Sequence, residues 1–302
     1  YMSNSINRPA TICGTNNNER ITDEVLERYR KTADPRLREI LLSLVKHLHA
    51  VVSETSLTQS EWQQAIDFMV VAADTNSPVR EEFVALSDVL GLSTLVIAQS
   101  QPTPQGATLP TLLGPFYLEN PAEFTNGSDI SNGANGRPLY VSGRVLTIEG
   151  MPIAQATIDV WHTDEAGLYD VQGDMGATGM HGRARLQSQV DGRYSFWSVV
   201  PVGYPVPDDG AIGLIQANTT RSLYRPAHMH YHIQAKGFRR LVTQAFVRGC
   251  PYLDDDAGFG VRPGLVFDYP RHEAGTAPDG RQINAPYHTL DFDIVMVESD
   301  CR

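Results

Sequence analysis

The sequence predicts a mainly β protein in which an N-terminal α-helical domain precedes an antiparallel β-sandwich. Two observations carry this prediction. In the first third of the chain, apolar residues recur at helical spacing behind recognisable helix start signals. From about Leu112 onwards, Gly, Pro, Asn and Asp separate short segments rich in Val, Ile, Tyr and Thr. We therefore expect a loose N-terminus at residues 1–18, a helical domain at 19–111 and the β-sandwich at 112–302.

Start signals place the predicted helices. A short helix is expected to open at Thr22-Asp23-Glu24, with acids in its first turn. Asp34-Pro35 combines an N-cap with proline at the first helical position, and Thr58-x-x-Glu61 is a capping box. A further run begins at Glu82 and ends before the Gln- and Pro-rich stretch at 99–110. Apolar stripes follow the second and third signals, at Leu37, Ile40, Leu41, Leu44, Val45 and Leu48 and at Trp62, Ala65, Ile66, Met69, Val70 and Ala73.

Seven short segments with strand composition follow, and the Asp191-Gly192 pair between two of them is a strong hairpin signal. Because no helical pattern intervenes, an antiparallel sandwich or barrel is expected. The predicted strands are Tyr140–Thr147, Ala156–His162, Arg183–Gln189, Tyr194–Val199, His228–Ala235, Leu241–Val247 and Thr289–Val297.

The composition indicates a globular protein and argues against nucleic-acid binding and membrane insertion. The chain has 302 residues, 41% of them hydrophobic and 20% charged, as expected for a globular protein. A net charge of −11 without a basic run argues against nucleic-acid binding, and no apolar run is long enough for membrane insertion. The three cysteines are far apart and form no CxxC motif. Together with the absence of a signal-peptide pattern, this predicts a cytoplasmic protein.

Three histidines at alternate positions form the most informative stretch, Arg225-Pro226-Ala227-His228-Met229-His230-Tyr231-His232. Side chains alternate along a β-strand, so His228, His230 and His232 are expected on one face. Imidazole is a common transition-metal ligand, and this spacing indicates part of a metal site. The pattern alone leaves open a partly buried strand that carries polar residues.

Two tyrosines follow predicted strands in loops bounded by Gly or Pro: Tyr169 in Gly167-Leu168-Tyr169-Asp170, and Tyr204 in Gly203-Tyr204-Pro205. Functional residues are often carried on such loops, although a single tyrosine is more often a packing residue.

In combination, these segments resemble the intradiol ring-cleaving dioxygenases. The likeness extends over most of the chain, and the matching motifs occur in the family's order. They are Leu113-Gly114-Pro115-Phe116-Tyr117, Asp159-Val160-Trp161, Gly167-Leu168-Tyr169, Gly203-Tyr204-Pro205, Arg225-Pro226-Ala227-His228-Met229-His230 and Leu241-Val242-Thr243-Gln244.

The resemblance implies a non-haem Fe(III) held by Tyr169, Tyr204, His228 and His230, with His232 outside the ligand set. Two phenolates are hard anionic donors that favour the ferric state. The implied substrates are an aromatic ortho-diol and O2. The diol would bind as a dianion and displace a hydroxide and Tyr204, which would take its two protons. The β-sandwich would then be the catalytic domain.

The resemblance also implies roles for two further polar residues. Arg225 would stabilise the anion that develops on the substrate ring. Gln244 would orient an iron ligand or polarise the site. An ordinary surface ion pair for Arg225 and an ordinary strand position for Gln244 are the alternatives.

Several motifs are more similar to the hydroxyquinol branch of the family than to the catechol branch. In the hydroxyquinol branch, the implied substrate-binding residues include Asp88, whose carboxylate would accept a hydrogen bond from the third hydroxyl of 1,2,4-trihydroxybenzene. Ala85 is smaller than the leucine that is frequent in that branch, and Gln244 is more typical of catechol enzymes. The full implied pocket is Ala85, Asp88, Gly114, Pro115, Phe116, Val206, Pro207 and Arg225.

The resemblance further implies a homodimer through the N-terminal helices, with an apolar channel there that holds lipid. The helical domain would thus be a dimerisation and linker domain. Two other readings of the metal pattern remain: a non-enzymatic metal-binding β-sandwich module, and a zinc hydrolase that uses three histidines.

Overall fold

The computed structural model describes residues 15–77, 80–172 and 180–299. The chain divides into two compact units, Tyr1–Phe68 and Met69–Arg302. The described helices are α1 (Thr15–Tyr29), α2 (Pro35–Thr55), α3 (Gln59–Thr75), α4 (Glu82–Val89), α5 (Leu92–Ser100) and α6 (Ala211–Ala217).

In the first unit, α1 packs against α2 and begins earlier than predicted. The expected start at Thr22 is wrong, because the Thr22 hydroxyl does not cap a helix but lies 2.9 Å from Nδ1 of His49 on α2. The predicted boundary at residue 19 therefore falls inside α1, and residues 15–18 are helical. Residues 1–14 of the expected loose N-terminus lie outside the described residues.

The start signals predicted for α2 and α3 are confirmed. Asp34 Oδ1 accepts the Leu37 backbone N–H at 2.7 Å. In the capping box, the Glu61 N–H donates to Thr58 Oγ1 at 3.2 Å, and the Thr58 N–H donates to Glu61 Oε2 at 2.8 Å. The apolar stripe of α2 is nevertheless exposed, since Leu44 and Leu48 keep 51% and 56% of their surface.

At the start of the second unit, α4 and α5 are separated at Gly91, which takes a left-handed conformation (φ +71°) that suits glycine. The single helical run predicted from Glu82 is therefore two helices, separated at Gly91. No single described helix is long and apolar enough to span a membrane; the pair α4 and α5 reaches that length only across a bend of 79°.

The strands form two five-stranded sheets and two short two-stranded ribbons. One sheet has the order β10-β13-β1-β14, with β4 also paired to β1, and the other has the order β3-β2-β7-β8-β9. The strands are β1 (Pro138–Thr147), β2 (Thr157–His162), β3 (Arg183–Gln187), β4 (Arg193–Val199), β5 (Tyr204–Pro205), β6 (Tyr224–Arg225), β7 (His228–Gln234), β8 (Leu241–Val247), β9 (Val266–Phe267), β10 (Arg271–His272), β11 (Gly275–Thr276), β12 (Gln282–Ile283), β13 (Tyr287–Asp291) and β14 (Ile294–Met296).

The sheets are mixed rather than purely antiparallel, which corrects one part of the prediction. β1 runs parallel to both β13 and β14, and β8 runs parallel to β9. The predicted strand at 289–297 divides between β13 and β14, because the Phe292 N–H turns to the Ser142 carbonyl (2.8 Å) and Asp293 Oδ1 accepts the Arg144 N–H. Helix α6 between β5 and β6 was also not predicted.

An apolar core lies between the two five-stranded sheets. The functional residues lie on the other, outer face of the second sheet. Met229, Tyr231 and Ile233 of β7 belong to this core, as do Ile158 and Val160 of β2. Since side chains alternate along a strand, the residues between them project from the opposite face. That outer face carries His228, His230 and His232.

Candidate metal centre and substrate pocket

Two histidines on the outer face of β7 bring their Nε2 atoms together. His228 Nε2 and His230 Nε2 are 2.9 Å apart. The Nδ1–H of His228 donates to the Pro226 carbonyl at 2.6 Å, and His230 Nδ1 lies 3.1 Å from Gln244 Nε2. With its proton on Nδ1, His228 presents the lone pair of Nε2 to the cluster, next to Nε2 of His230.

Two buried phenols complete the cluster. Tyr169 follows β2, Tyr204 lies on β5, and their hydroxyl oxygens are 3.2 Å apart. Tyr169 Oη is also 3.5 Å from His228 Nε2. Gly167 (φ +78°) packs closely on Tyr204, since an added Cβ would lie 3.1 Å from Tyr204 Cβ. The tight loop around Gly167 therefore allows the two tyrosines to meet.

Burial shifts the pKa values of all four groups toward their neutral forms. Burial raises the pKa of Tyr169 well above its ordinary value, and the neighbouring Tyr204 raises it further. Burial also raises the pKa of Tyr204, although the Arg225 charge partly opposes this. Burial and the Arg225 charge lower the pKa of His228 to about 3, and burial lowers that of His230. The imidazoles are therefore neutral at physiological pH.

This donor set fits a metal ion. The two imidazole Nε2 atoms, 2.9 Å apart, are close enough to bind one cation through their lone pairs. The adjacent phenol oxygens are hard donors once deprotonated, and a metal charge supplies the driving force for that deprotonation. Two oxygen and two nitrogen donors of this kind suit a ferric ion.

His232 does not join the cluster. Its Nδ1 lies 3.1 Å from Tyr117 Oη and 3.6 Å from Asp159 Oδ2, and its Nε2 contacts Gln234. Within the described ranges, no group of three or more His, Cys, Asp or Glu side chains is arranged for a metal ion. The three-histidine zinc reading therefore lacks its third ligand.

Neighbouring side chains hold the His230 ring in place. Trp161, opposite His230 in the β2–β7 register, stacks on it with centroids 4.6 Å apart and an interplanar angle of 6°. On the other strand, Gln244 Nε2 donates to the Leu112 carbonyl at 3.0 Å and lies 3.1 Å from His230 Nδ1. Trp161 was part of a recognised motif, but its stacking role was not predicted.

Arg225 is buried beside the cluster and paired with a carboxylate. It lies opposite Tyr204 in the β5–β6 ribbon. Its guanidinium donates to both oxygens of Asp256 and, at 3.2 Å, to Gln244 Oε1. Sequence reasoning missed Asp256, whose only signal was its place in an acidic turn that leads into a Gly-Phe-Gly segment.

A second buried ion pair anchors the Tyr169 loop. Arg183 and Asp170 are each about 1% exposed in their side chains and meet at 2.7 Å. Arg183 also donates to the Phe116 carbonyl at 2.9 Å. Phe116 in turn packs on the Tyr169 ring, with centroids 4.8 Å apart. This pair was not predicted either, because nothing in the sequence distinguishes a buried Asp from an exposed one.

A pocket opens next to the four donors, and it contains most of the residues that the sequence nominated. Gly114 is the exception: it takes a φ of +75° and faces the His230 ring instead. Val89 and Gly258 belong to the lining but were not nominated. The lining residues are Ala85, Asp88, Val89, Pro115, Phe116, Tyr204, Val206, Pro207, Arg225 and Gly258.

Asp88 provides an ionisable group in the wall of the pocket that Arg225 also lines. Its residue surface is only 7% exposed. Burial raises the pKa of Asp88 above its ordinary value, while a hydrogen bond from Ser93 and the Arg225 charge oppose the shift. A carboxylate in this position can accept a hydrogen bond from a ligand hydroxyl.

Comparisons with known proteins agree with this geometry. A family model described as "Dioxygenase" matches residues 112–297, and one described as "Catechol dioxygenase N terminus" matches residues 34–108. The chain belongs to the intradiol ring-cleaving dioxygenases, which are enzymes that generally use non-haem iron. This membership sets aside the reading as a non-enzymatic binding module.

Several of the relatives belong to the hydroxyquinol branch of this family. The chain is 43% identical to hydroxyquinol 1,2-dioxygenase of Rhodococcus opacus, over 92% of this chain and 93% of the relative. It is 42% identical to 6-chlorohydroxyquinol 1,2-dioxygenase of Cupriavidus pinatubonensis, over 91% and 96%. The crystal structure of hydroxyquinol 1,2-dioxygenase from Pseudomonas putida DLL-E4 superposes with a TM-score of 0.85 at 36% identity, over 94% and 99%.

Proposed function

We propose that this protein is a ferric intradiol dioxygenase that cleaves hydroxyquinol between its two ortho hydroxyl carbons. Hydroxyquinol (1,2,4-trihydroxybenzene) and O2 would give 3-hydroxy-cis,cis-muconate, the enol form of maleylacetate. Both oxygen atoms enter the product, so no external reductant is needed. The observation that carries the proposal is the convergence of two phenol oxygens and two imidazole nitrogens, 2.9–3.5 Å apart, beside a buried pocket.

Tyr169, Tyr204, His228 and His230 would hold the iron. Bound there, ferric iron supplies Lewis acidity that makes a coordinated diol dianion reactive toward O2. The four side chains fix the position of the substrate's two adjacent oxygens relative to the pocket. Trp161, stacked on His230, keeps that ligand ring from turning.

Tyr204 is the residue best placed to accept a substrate proton. It is both a member of the donor cluster and part of the pocket lining, whereas Tyr169 does not line the pocket. With iron bound, Tyr204 would be the phenolate that accepts a proton from a diol hydroxyl, since it is the candidate ligand that also lines the pocket.

Arg225 supplies a fixed positive charge at the pocket. Burial alone would lower the pKa of Arg225, but the Asp256 charge, the hydrogen bond to Asp256 and the neighbouring tyrosines together outweigh burial and raise the pKa, so the guanidinium stays protonated. Placed beside Tyr204, it stabilises negative charge that develops on the ring. Gln244 holds the guanidinium through its carbonyl oxygen and the Leu112 carbonyl through its amide.

Asp88 favours hydroxyquinol over catechol. Its carboxylate lies in the wall of the same pocket as Tyr204 and Arg225. A third ring hydroxyl can donate to it, whereas catechol leaves the buried carboxylate without that partner. The names of the relatives at 42–43% identity support the same choice.

Catechol 1,2-dioxygenase activity, giving cis,cis-muconate, is the alternative that Gln244 favours. An oxygen-uptake assay with both diols side by side, with identification of the ring-opened acids, separates the two. We expect hydroxyquinol to be cleaved with the higher kcat/KM. Faster turnover of catechol would contradict the substrate assignment, and no oxygen uptake with either diol would contradict the reaction.

We also propose that the helices of the first unit mediate homodimer formation and can hold lipid, and that the enzyme is cytoplasmic. The exposed apolar stripe of α2 supports the first point, because exposed leucines such as Leu44 and Leu48 are rare on a free helix face. Residues 19–111 would then be the dimerisation domain and residues 112–302 the catalytic domain.

A further inference from the structure

We propose that Asp256 is a positioning residue that fixes the direction of the Arg225 guanidinium and couples it to the wall of the substrate pocket. The inference rests on the proposed dioxygenase function, in which Arg225 stabilises charge on the substrate ring. Asp256 itself does not line the pocket, and its side-chain hydrogen bonds go to Arg225, Gly258 and Gly260 rather than to the four candidate iron ligands.

The Asp256 carboxylate uses both oxygens on the guanidinium. Oδ1 accepts from Arg225 Nε at 3.0 Å, and Oδ2 accepts from Nη2 at 3.3 Å. The two side chains are 3% and 7% exposed, so the pair is formed away from water. A bidentate pair of this kind fixes the plane of the guanidinium as well as its distance.

The same two oxygens also hold the following loop. Oδ1 accepts the Gly258 backbone N–H at 3.0 Å, and Oδ2 accepts the Gly260 N–H at 2.8 Å. Gly258 is part of the pocket wall. The Asp256 carboxylate therefore fixes both the Gly258 part of the pocket wall and the Arg225 charge, so that neither can move without the other.

Close packing leaves the guanidinium little freedom. A Cβ added at Gly260 would lie 2.8 Å from Arg225 Nη2, and one added at Gly258 would lie 3.2 Å from Nε. Only a glycine backbone can approach the guanidinium this closely. The guanidinium is thus held between this loop and the Gln244 side chain, whose Oε1 accepts a hydrogen bond from Nη2.

A charge that is oriented before the reaction stabilises the transition state without reorganisation, and a misaligned one does not. Loss of Asp256 is therefore expected to lower kcat through Arg225, with little change in KM. A purely structural role for Asp256 would instead lower stability and iron content in proportion to activity. These two roles differ in how the effect depends on Arg225.

A double-mutant cycle with Asp256→Asn and Arg225→Gln tests this, with hydroxyquinol turnover by the wild type measured first. We expect Asp256→Asn alone to lower kcat by about 10- to 100-fold, the usual effect of losing an outer partner of an active-site group. In the Arg225→Gln background, the same substitution should cost less than about 2-fold, because its target is gone. Iron content and the visible absorption of the iron-loaded protein should stay at wild-type values.

Asp279→Asn is the matched control, because Asp279 also pairs with an arginine but lies on Trp197 away from the pocket. It should leave kcat unchanged. A crystal structure of Asp256→Asn should show the guanidinium turned from Gln244; if that variant does not fold, Asp256→Glu enters the same cycle. Equal losses in both Arg225 backgrounds, or an unmoved guanidinium, would overturn the inference. A wild type that cleaves no diol would overturn the proposed function, and this inference with it.

Discussion

Single glycines set the spacing of the candidate metal centre as much as the ligands do. Gly114 has a φ of +75°, and a Cβ at this position would lie 3.2 Å from His230 Cε1 and 3.6 Å from Nε2. A side chain there is strained in its own backbone and also presses on a ligand ring. The Leu-Gly-Pro-Phe-Tyr motif therefore serves His230 as well as the pocket.

Substitution of Gly114 with alanine is expected to lower the affinity for ferric iron by about 10-fold or more, since displacement of ligand orientation commonly has an effect of this size. Iron retained after dialysis against a chelator measures it. Gly150→Ala is the control, because Gly150 has a similar φ of +80° but open space around its Cα. Equal iron retention in the two variants would show that Gly114 does not support His230.

Asp88 is the residue to which the choice of substrate is assigned. Asp88→Asn removes the charged acceptor, and a hydrogen bond to a charged group contributes about 1.5–3 kcal/mol. We expect the ratio of kcat/KM for hydroxyquinol to that for catechol to fall by roughly 10-fold or more. A parallel fall for both diols would place the role of Asp88 in the fold of α4 instead.

At the level of elements, a polar network joins strands β3, β2 and β7 on the outer face of the second sheet. Arg185 of β3 forms two hydrogen bonds with Asp159 of β2, at 2.6 and 2.8 Å. Tyr117 donates to the same carboxylate at 3.0 Å, and His232 of β7 is adjacent. Burial alone would raise the pKa of Asp159, but the hydrogen bonds from Arg185 and His232 outweigh it and lower the pKa to about 2.

This carboxylate is expected to contribute to stability in a defined pH range. Its pKa is lower in the folded than in the unfolded chain, so the contribution is complete above about pH 4 and is lost as the pH falls toward 2. A shift of this size corresponds to about 2 kcal/mol. Urea unfolding of wild type and Asp159→Asn should show a difference that narrows between pH 5 and pH 2.

Asp268→Asn is the control for that measurement, because the Asp268 side chain is 75% exposed and its pair with Arg248 is open to solvent. It should change stability little at any pH. A difference between wild type and Asp159→Asn that is the same at pH 5 and pH 2 would contradict the role of the charge.

The alternation of β7 shows what the sequence could predict. His228, His230 and His232 share a face because Met229, Tyr231 and Ile233 must enter the core, and both patterns are visible in the residues. Contacts between distant segments were not predictable in this way. Asp256 meets Arg225, and Arg183 reaches the Phe116 carbonyl, only because loops fold over the sheet. The parallel pairing of β13 and β14 with β1 likewise joins strands that are far apart in the sequence, so local patterns could not predict it.

For the molecule as a whole, the exposed stripe of α2 predicts association. No described residue of α2 is buried, although the helix carries apolar residues at regular spacing. We expect a native mass of twice the chain mass of 33.3 kDa. Leu44→Glu with Leu48→Glu should shift the protein toward monomer in analytical ultracentrifugation, since two charges would enter the apolar contact.

Glu39→Gln tests whether any change on α2 has this effect, because the Glu39 side chain is 70% exposed and paired only with Arg36. This variant should remain a dimer. A wild type that sediments as a monomer would show that the stripe has another partner or none.

The central claim is that two tyrosinates and two histidines hold a ferric ion in this chain. Iron analysis combined with the visible absorption spectrum tests it most directly, because a phenolate bound to Fe(III) gives a charge-transfer colour. We predict one iron per chain and a coloured protein whose visible band is lost or strongly shifted in Tyr169→Phe. A colourless iron-loaded protein, or a band that is unchanged in Tyr169→Phe, would contradict the account.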